Sequence, residues 1–341
     1  MFRVEIGGRV RDFEAASQAA GYAVQRCREC YPTLEDLIRE IWTWEKAKRD
    51  YNRLIQINGK FLVGEKTIRQ TSIGVLFPNY FMPHRYEVRV GRMSPAEKFM
   101  DDEQLESAIF RGMTKLKASE ANEGTVLRFI YLTHGTQSAG NFMPAVAKGI
   151  YETFCPDGGK VFDISCGFGG RLAGCLSSQN NYRYYGVDPA TKTYQGLIQM
   201  IEALNAKDRV FIRCCPFEDV EDDFVADSDL IFTSPPYFCK EKYSDEENQS
   251  WKRYKSYAEW RDGFLIRSIE KAYRGLKRGR YFIWNINDVK IRSINYPLVL
   301  DSINAAEEVG FKYMQTKKML MAKIPGHSKI KWEPVLVFFK E

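Results

Sequence analysis

From about residue 141 onward, short apolar segments alternate with longer amphipathic ones, and this alternation is the feature that most constrains the fold. The short segments are typical of strands and the longer ones of helices. Strands that alternate with helices form a parallel sheet covered on both faces, with a ligand crevice at the carboxyl ends of the strands. We therefore expect a doubly wound, mostly parallel α/β sheet over residues 136–341. Its seven predicted strands are KVFDI, YRYYGVD, RVFIRC, DLIFT, YFIWNI, KYMQTKKMLM and PVLVFF.

The first 135 residues lack this alternation, and we expect a mixed α+β region there. Apolar residues recur at helical spacing after Thr33 and again after Ser94, which predicts helices. Thr33 with Asp36 predicts a capped helix start. Residues 74–90 are aromatic and β-prone but contain two prolines, which predicts short strands or loops.

The composition is that of a globular protein, with 44% hydrophobic residues and a formal net charge of +6. This mild basic excess is compatible with a polyanionic partner without requiring one. No segment approaches the roughly 18 apolar residues of a membrane helix, and the first residues lack the apolar run of a signal peptide. We therefore expect a cytoplasmic protein with reduced cysteines. Cys27 and Cys30 form a single C-x-x-C, but a zinc site needs four ligands, so no metal is expected.

A glycine-rich loop follows the first predicted strand of the sheet, in the sequence FDISCGFGGRLAG. Gly167 and Gly169 allow the backbone to approach a ligand closely. Asp188 ends the next strand, where a carboxylate can accept hydrogen bonds from a ribose diol. The loop lacks the G-x-G-x-x-G order of dinucleotide-binding proteins. An adenosyl ligand without a pyrophosphate fits this pattern better.

Two acidic residues follow the third predicted strand. Glu218 or Asp219 could accept a hydrogen bond from the amino group of adenine. Acidic residues at such a position also cap the next helix, so both readings stay open.

The fourth predicted strand ends in Ser-Pro-Pro-Tyr, residues 234–237. The prolines fix φ and remove two backbone donors, so nearby carbonyl groups stay free and fixed in direction. The Ser234 hydroxyl and the Pro235 carbonyl could then accept the two hydrogens of a planar exocyclic amine, with Pro236 completing the rigid turn. Tyr237 can stack on a base, an interaction worth roughly 1–3 kcal/mol. A plain loop after a core strand is the alternative.

In this order, these motifs resemble the amino-methyltransferases of DNA, the cytosine-N4 and adenine-N6 group of class I methyltransferases. The resemblance covers residues 141–341. It implies a class I methyltransferase sheet, S-adenosylmethionine as the methyl donor, and double-stranded DNA with an extruded base as the partner. The residues that it assigns to the donor site are Phe142, Pro144, Asp163, Cys166, Gly167, Phe168, Gly169, Asp188, Pro189, Glu218, Asp219 and Thr233. Adenine enzymes of the family commonly carry a carboxylate in the place of Ser234, which favours cytosine here.

Cations and aromatic rings interleave shortly after the Ser-Pro-Pro-Tyr motif, a pattern that suits phosphate contact with base stacking. The expected nucleic-acid contacts are Trp251, Lys252, Arg253, Tyr254 and Lys255. A solvated lid is the alternative. The basic residues 317–332 could likewise face DNA or form a solvated hairpin. By elimination, residues 1–135 are the candidate DNA-recognition or accessory domain.

Other functions stay open at this stage. The same scaffold serves RNA and protein amine methyltransferases, and a non-catalytic nucleic-acid-binding relic is a third possibility. The intact Asp163, Asp188, Ser234 and Tyr237 argue against the relic. Cys239 is not expected to be a nucleophile. The cytosine-C5 enzymes carry their nucleophilic cysteine directly after a proline, whereas the order here is Pro-Pro-Tyr-Phe-Cys. The lack of a nuclease or helicase motif suggests a solitary modification enzyme, and the resemblance suggests phage or mobile-element origin.

Overall fold

The computed structural model describes residues 1–132, 135–137, 139–321 and 330–341. The strands are β1 (Phe2–Ile6), β2 (Arg9–Phe13), β3 (Thr67–Ile68), β4 (Glu120–Asn122), β5 (Gly159–Asp163), β6 (Tyr182–Val187), β7 (Val210–Arg213), β8 (Ser228–Thr233), β9 (Leu276–Asn285), β10 (Val289–Ile291), β11 (Ile294–Tyr296), β12 (Lys312–Leu320) and β13 (Trp332–Lys340). The α-helices are α1 (Ala16–Cys30), α2 (Leu34–Ile41), α3 (Trp44–Gln56), α4 (Leu76–Phe81), α5 (Pro95–Met100), α6 (Asp102–Lys115), α7 (Glu123–Leu132), α8 (Pro144–Phe154), α9 (Gly170–Ser177), α10 (Thr191–Ala203), α11 (Asp222–Val225), α12 (Ser250–Arg253), α13 (Tyr257–Trp260), α14 (Arg267–Gly275) and α15 (Leu298–Glu308).

The chain forms two compact units, and both are discontinuous in sequence. Unit 1 comprises Met1–Lys46, Pro83–Gly140 and Glu241–Tyr243, and unit 2 comprises Ala47–Met82, Asn141–Lys240 and Ser244–Glu341. The observed units differ from the division expected from the sequence at residue 135, since residues 136–140 and 241–243 belong to unit 1 and residues 47–82 belong to unit 2. These residues lack strand–helix alternation, so the sequence pattern gave no sign that they pack with the second unit.

Specific contacts hold residues 47–82 within unit 2. The Lys148 ammonium donates hydrogen bonds to the carbonyls of Leu54 at 3.0 Å and Ile55 at 2.8 Å, at the end of α3. The strand β3 pairs in parallel with β12 and adds an eighth strand to the sheet. At two residues, β3 is too short for periodicity to reveal it.

Unit 1 has a three-stranded sheet in the order β2-β1-β4, with α1, α2 and α5 to α7 around one apolar core. As expected, Thr33 and Asp36 form a capping box at the start of α2. Ser94 and Glu97 form a second capping box, and Pro95 takes the first position of α5, where a missing N–H costs nothing.

Unit 2 contains an eight-stranded sheet in the order β3-β12-β13-β9-β8-β5-β6-β7. The pairs β9-β8, β8-β5, β5-β6 and β6-β7 are parallel, whereas β13 runs antiparallel to both of its neighbours. This is the doubly wound, mostly parallel α/β fold that the sequence predicts, and all seven predicted strands are present. Every residue of β8 is buried, as expected for a strand whose sheet is covered on both faces.

The aromatic segment 74–90 was expected to form strands or loops, and this prediction was wrong. It forms α4 and then a 3-10 helix over Pro83–Glu87. Pro78 lies in the first turn of α4 and Pro83 opens the 3-10 helix, two places where a helix does not need the missing backbone donor. Proline spacing therefore marks helix starts here rather than strand breaks.

The basic segment 317–332 begins in the last residues of β12 and ends at Trp332, the first residue of β13. The two strands pair antiparallel. Residues 322–329 of this segment lie outside the described residues. Within the described ranges, no helix has both the length and the apolar character needed to cross a bilayer.

Candidate active site

The glycine loop connects β5 to α9 at the carboxyl edge of the sheet. Gly167 and Gly169 adopt φ values of 56° and 76°, the left-handed region that glycine tolerates best. A Cβ atom on Gly170 would lie 1.9 Å from the carbonyl oxygen of Phe142, so only glycine fits there. The local geometry thus favours glycine at positions 167, 169 and 170. Phe142, one of the predicted donor-site residues, lies directly against the loop.

Asn141 fixes the same loop, and the sequence analysis did not identify it. Its side-chain oxygen accepts a hydrogen bond from the Gly170 amide at 3.1 Å, and its nitrogen donates to the Phe168 carbonyl at 3.0 Å. The signal that could have found it is an amide side chain immediately before the helix that precedes the loop.

Asp163, at the end of β5, is fully engaged by protein groups. One carboxylate oxygen accepts hydrogen bonds from the Arg171 guanidinium and the Tyr184 hydroxyl, both at 2.7 Å. The other accepts from the Thr233 hydroxyl at 2.8 Å and the Ser165 amide at 3.2 Å. Asp163 and Thr233, both predicted donor-site residues, therefore contact each other in the core and orient the loops that follow β5 and β8.

Asp188, after β6, contacts the glycine loop directly. Its carboxylate accepts hydrogen bonds from the Gly167 amide at 2.8 Å and the Ala190 amide at 3.0 Å. Burial raises the pKa of this carboxyl group to about 6. Each oxygen keeps a second lone pair, so the group can still accept from two further hydroxyls. Burial likewise raises the pKa of the Cys166 thiol, which is therefore not a thiolate nucleophile at neutral pH.

Glu218 and Asp219 lie on a 3-10 helix, Phe217–Asp219, that follows β7. The Lys271 ammonium donates hydrogen bonds to the backbone carbonyls of Phe217, Glu218 and Val220 at 3.2, 3.0 and 2.5 Å. Lys271 is nearly buried, and it fixes the turn that presents the two acids. A lysine within a predicted amphipathic helix gave no sign of this role.

Residues expected to bind nucleic acid lie instead against these acids. Arg253 donates two hydrogen bonds to the Asp219 carboxylate, at 2.7 and 2.9 Å, in the fork arrangement that suits a carboxylate. The Tyr254 hydroxyl lies 2.8 Å from a Glu218 carboxylate oxygen. The structure thus brings together two groups of residues that the sequence analysis assigned to different ligands.

The remaining three residues that were expected to contact nucleic acid have other surroundings. The Trp251 indole donates to the Ser244 carbonyl at 3.0 Å, and the Lys252 ammonium contacts the Glu247 carboxylate at 2.8 Å. Lys255 is exposed. Of the five residues, its side chain is the one most open to an external partner.

The Ser-Pro-Pro-Tyr motif forms a tight turn directly after β8. The Pro236 carbonyl accepts from the Phe238 amide at 3.2 Å, and the Tyr237 carbonyl accepts from the Lys240 amide at 3.1 Å. Within the described part of the chain, neither the Ser234 hydroxyl nor the Pro235 carbonyl has a hydrogen-bond partner. Both are therefore free acceptors beside the glycine loop, since β8 and β5 are neighbouring strands.

Phe238 holds this turn in place, a role that was not predicted from the sequence. Its φ is 54°, a left-handed conformation that is rare for a bulky residue. Its buried ring packs against Tyr257, Trp260 and Tyr296, with centroid distances of 5.5, 5.8 and 5.2 Å. Such strain persists only where the surrounding structure imposes it, as at functional sites.

The carboxyl-terminal part of the chain, which begins at β8 and contains this turn, has a family counterpart. Residues 228–341 match the N6_N4_Mtase family, DNA methylase. Over these residues, the match confirms the predicted resemblance to the N4/N6 DNA methylases, and it supports S-adenosylmethionine as the cofactor. No curated protein matches the sequence.

Several solved structures are similar to this chain at low identity. A precorrin-6y C5,15-methyltransferase from Geobacter metallireducens is 13% identical, with a TM-score of 0.39 over 57% of this chain and 87% of its own. A methyltransferase from Pyrococcus furiosus is 18% identical, with a TM-score of 0.38 over 58% and 82%. TrmN from Thermus thermophilus is 14% identical, with a TM-score of 0.39 over 58% and 49%.

The site contains no cluster of metal ligands. Within the described ranges, no group of three or more histidine, cysteine, aspartate or glutamate residues could hold a metal ion. None of the eight cysteines, all of which lie in the described part of the chain, forms a disulfide, and Cys27 is buried in the core of unit 1.

Proposed function

We propose that this protein transfers a methyl group from S-adenosylmethionine to the exocyclic amine of a DNA base, with cytosine N4 as the acceptor. The observation that carries the proposal is the pair of free acceptors, the Ser234 hydroxyl and the Pro235 carbonyl, beside the glycine loop. An exocyclic amine has two hydrogens to donate, and two fixed acceptors hold it with its lone pair directed at the methyl group.

The residues around the glycine loop fit an adenosyl donor. Asp188 has spare lone pairs for the two ribose hydroxyls, and the left-handed Gly167 and Gly169 leave room for close approach of the ligand. When bound, the donor supplies an electrophilic methyl group on a sulfonium. Asp163 and Thr233 would then act by positioning, because their polar groups already contact each other.

The two acceptors assist the reaction by changing the geometry of the amine nitrogen. The nitrogen lone pair is delocalised into the base, and hydrogen bonds from the two N–H groups to Ser234 and Pro235 help the nitrogen become tetrahedral. As the N–C bond forms, the bond between the methyl carbon and the sulfonium sulfur would break, and its electron pair would stay on the sulfur as a neutral thioether. The surplus proton leaves the nitrogen for solvent. Tyr237, half-buried beside the acceptors, would stack on the extruded base.

Position 234 carries a neutral hydroxyl where the adenine enzymes of the resembled family commonly carry a carboxylate, and this difference supports the choice of cytosine. Adenine N6 is the alternative acceptor in the same mechanism. Within unit 2, we propose the exposed Lys255 as a nucleic-acid contact. Unit 1, taken by itself, is the candidate DNA-recognition region, and its strand β2 presents exposed residues that include Arg9 and Arg11.

The direct test is mass spectrometry of nucleosides from the DNA of an expressing host that has no other DNA methylation. We expect N4-methylcytosine. Finding N6-methyladenine would keep the mechanism and overturn the choice of base. Finding neither in DNA, while the folded protein binds the donor, would overturn the DNA assignment and favour RNA.

The role of the acceptor pair is tested with Ser234→Ala. We expect methyl transfer to slow by about 10²-fold, the typical cost of removing one fixed hydrogen-bonding group at a reacting centre. Donor affinity should stay within about twofold, because Ser234 does not face the donor in the proposed mechanism. The control is Ser17→Ala on the exposed start of α1, which should leave the rate unchanged. An unchanged rate for Ser234→Ala would contradict the proposed mechanism.

A further inference from the structure

Residues 244–254, here called the strap, follow the Ser-Pro-Pro-Tyr turn and contact the loop after β6. The Glu246 carboxylate accepts from the Thr191 amide, with its two oxygens at 3.2 and 3.1 Å. The Asn248 side chain donates to the Pro189 carbonyl at 2.8 Å. This loop begins with Asp188, so one end of the strap lies beside the proposed ribose contact.

The other end of the strap contacts the turn after β7. Arg253 binds Asp219 through two hydrogen bonds, and Tyr254 binds Glu218 through one. The strap therefore joins the loops that follow two neighbouring strands, β6 and β7. In a doubly wound sheet, ligands bind across the carboxyl ends of such strands.

The strap has an ordered internal structure. Its Gln249 is buried, and the Gln249 carbonyl accepts hydrogen bonds from the amides of Lys252 and Arg253, both at 2.9 Å. The Trp251 indole closes the strap onto the Ser244 carbonyl. This scaffold fixes the direction in which Arg253 and Tyr254 point.

The strap stabilises the charge of one of the two acids, and burial acts on the other. The hydrogen bonds from Arg253 lower the pKa of Asp219, so this carboxylate is an ion at neutral pH. Burial raises the pKa of Glu218. The Tyr254 hydroxyl, with one hydrogen, lies 2.8 Å from Glu218 and 2.9 Å from the Gly263 carbonyl, two acceptors that it cannot both satisfy. The two acids are thus held as distinct, fixed groups, and their remaining lone pairs are acceptors.

We propose that the strap determines the specificity for the adenine ring of the donor, with Arg253 and Tyr254 as positioning residues that hold Asp219 and Glu218 as acceptors for the adenine amino group. The inference rests on the proposed function, in which the donor is an adenosyl compound. It gives Arg253 and Tyr254 a role at the donor site in place of the nucleic-acid contact expected from their sequence pattern.

The test compares two ligands that differ at one position of the purine. S-adenosylhomocysteine carries the amino group, and S-inosylhomocysteine carries a carbonyl oxygen there, which an acceptor pair repels. Calorimetry on the full chain without nucleic acid gives the affinity ratio of the two ligands. We expect the unaltered protein to favour the adenosyl compound by about 10²-fold or more, since unpaired polar groups discriminate strongly.

We expect Arg253→Ala and Tyr254→Phe each to lower this ratio by about tenfold or more. Lys252→Ala is the matched control, because it removes another ion pair of the strap, with the exposed Glu247, and should leave the ratio unchanged. If Arg253 and Tyr254 had a purely structural role, their removal would weaken the binding of both ligands equally and leave the affinity ratio unchanged. That result would overturn the inference.

Three further outcomes are decisive. If Arg253→Ala keeps the ratio and lowers the slope of log DNA affinity against log salt by about 0.9, Arg253 is a phosphate contact and the inference is overturned. If the unaltered protein binds neither ligand, the proposed function fails together with the inference. Binding of the adenosyl compound with an unchanged ratio in both variants would overturn the inference alone.

Discussion

Two carboxylates at the ends of neighbouring strands, Asp163 and Asp188, have environments that give them different roles. Asp163 accepts from four protein groups and is fully buried, so it has no capacity left for a ligand. Asp188 accepts from two backbone amides and is 8% exposed, so its remaining lone pairs can reach a ligand. The positions look equivalent in the sequence, and only their hydrogen-bond partners distinguish the carboxylate that is fully engaged by the protein from the one that keeps capacity for a ligand.

The raised pKa of Asp188 predicts a pH dependence of donor binding. Below about pH 6 the carboxyl group is protonated and loses its capacity to accept from both ribose hydroxyls. We expect the donor affinity to fall by up to roughly tenfold per pH unit below this value. Asp188→Asn should bind weakly, with no such dependence on pH. Calorimetric titration of S-adenosylhomocysteine across this range checks both variants.

The upward direction of the Asp188 pKa shift also predicts how this carboxyl group affects folding stability, as distinct from donor binding. A carboxyl group whose pKa is raised on folding contributes stability below its unfolded pKa, and this contribution is lost as the pH rises through about 6. At neutral pH, Asp188→Asn should therefore melt at the same temperature as the unaltered protein or higher. A lower melting temperature would show that lost binding reflects unfolding instead.

At the scale of elements, the buried contacts of Asp163 join β5, β6, β8 and α9. Tyr184 belongs to β6, Thr233 ends β8, and Arg171 lies in the first turn of α9. The Arg171 side chain is 5% exposed and its ion pair with Asp163 spans 2.7 Å. The strand that carries the free acceptors and the loop proposed for the donor are therefore oriented by one buried network.

Removing Arg171 should destabilise unit 2 strongly. Arg171→Ala leaves the Asp163 charge buried without its partner, which typically costs about 3–5 kcal/mol. The control is Arg213→Ala, which breaks the exposed ion pair with Glu221 and should cost about 1 kcal/mol or less. Urea denaturation of both variants measures the difference. Equal effects on the free energy of unfolding would contradict the role assigned to the buried network.

At the scale of the whole molecule, each unit is assembled from separate stretches of chain. Residues 83–140 of unit 1 interrupt unit 2 between Met82 and Asn141. The ends of this interruption are close, because the Asn141 side chain donates to the Asn79 side chain at 3.2 Å. Unit 2 can therefore be closed across the gap with a short linker.

This arrangement predicts which fragment folds. A chain that starts at residue 47, with residues 83–140 replaced by a short glycine–serine linker, should fold and bind S-adenosylhomocysteine. A chain of residues 141–341 alone should not, because it lacks β3 and the carbonyls that Lys148 and Lys317 contact. Circular dichroism and calorimetry on the two fragments test this. Equal folding of both would show that residues 47–82 are dispensable.

Much of the site was predictable because its signals are local. A positive φ, as at Gly167 or Gly169, favours glycine, and a proline pair after a buried strand restricts the backbone. Both constraints can be recognised from a few consecutive residues. The mostly parallel, doubly wound arrangement was also predictable, since alternating strands and helices allow few topologies. By contrast, Asn141 and Lys271 fix loops that are distant in the sequence, and Phe238 packs against aromatic rings that are distant in the sequence. No local pattern reveals these contacts.

The sequence by itself determined the doubly wound sheet of unit 2 and the residues at the carboxyl ends of its strands, because backbone sterics and hydrophobic periodicity act over a few residues. Only the tertiary structure decided that residues 47–82 complete that unit and that Arg253 and Tyr254 bind Asp219 and Glu218. A basic and aromatic segment has the same composition whether it faces phosphates or carboxylates. Its partner depends on which loop lies within hydrogen-bonding distance, and that distance exists only after the chain has folded.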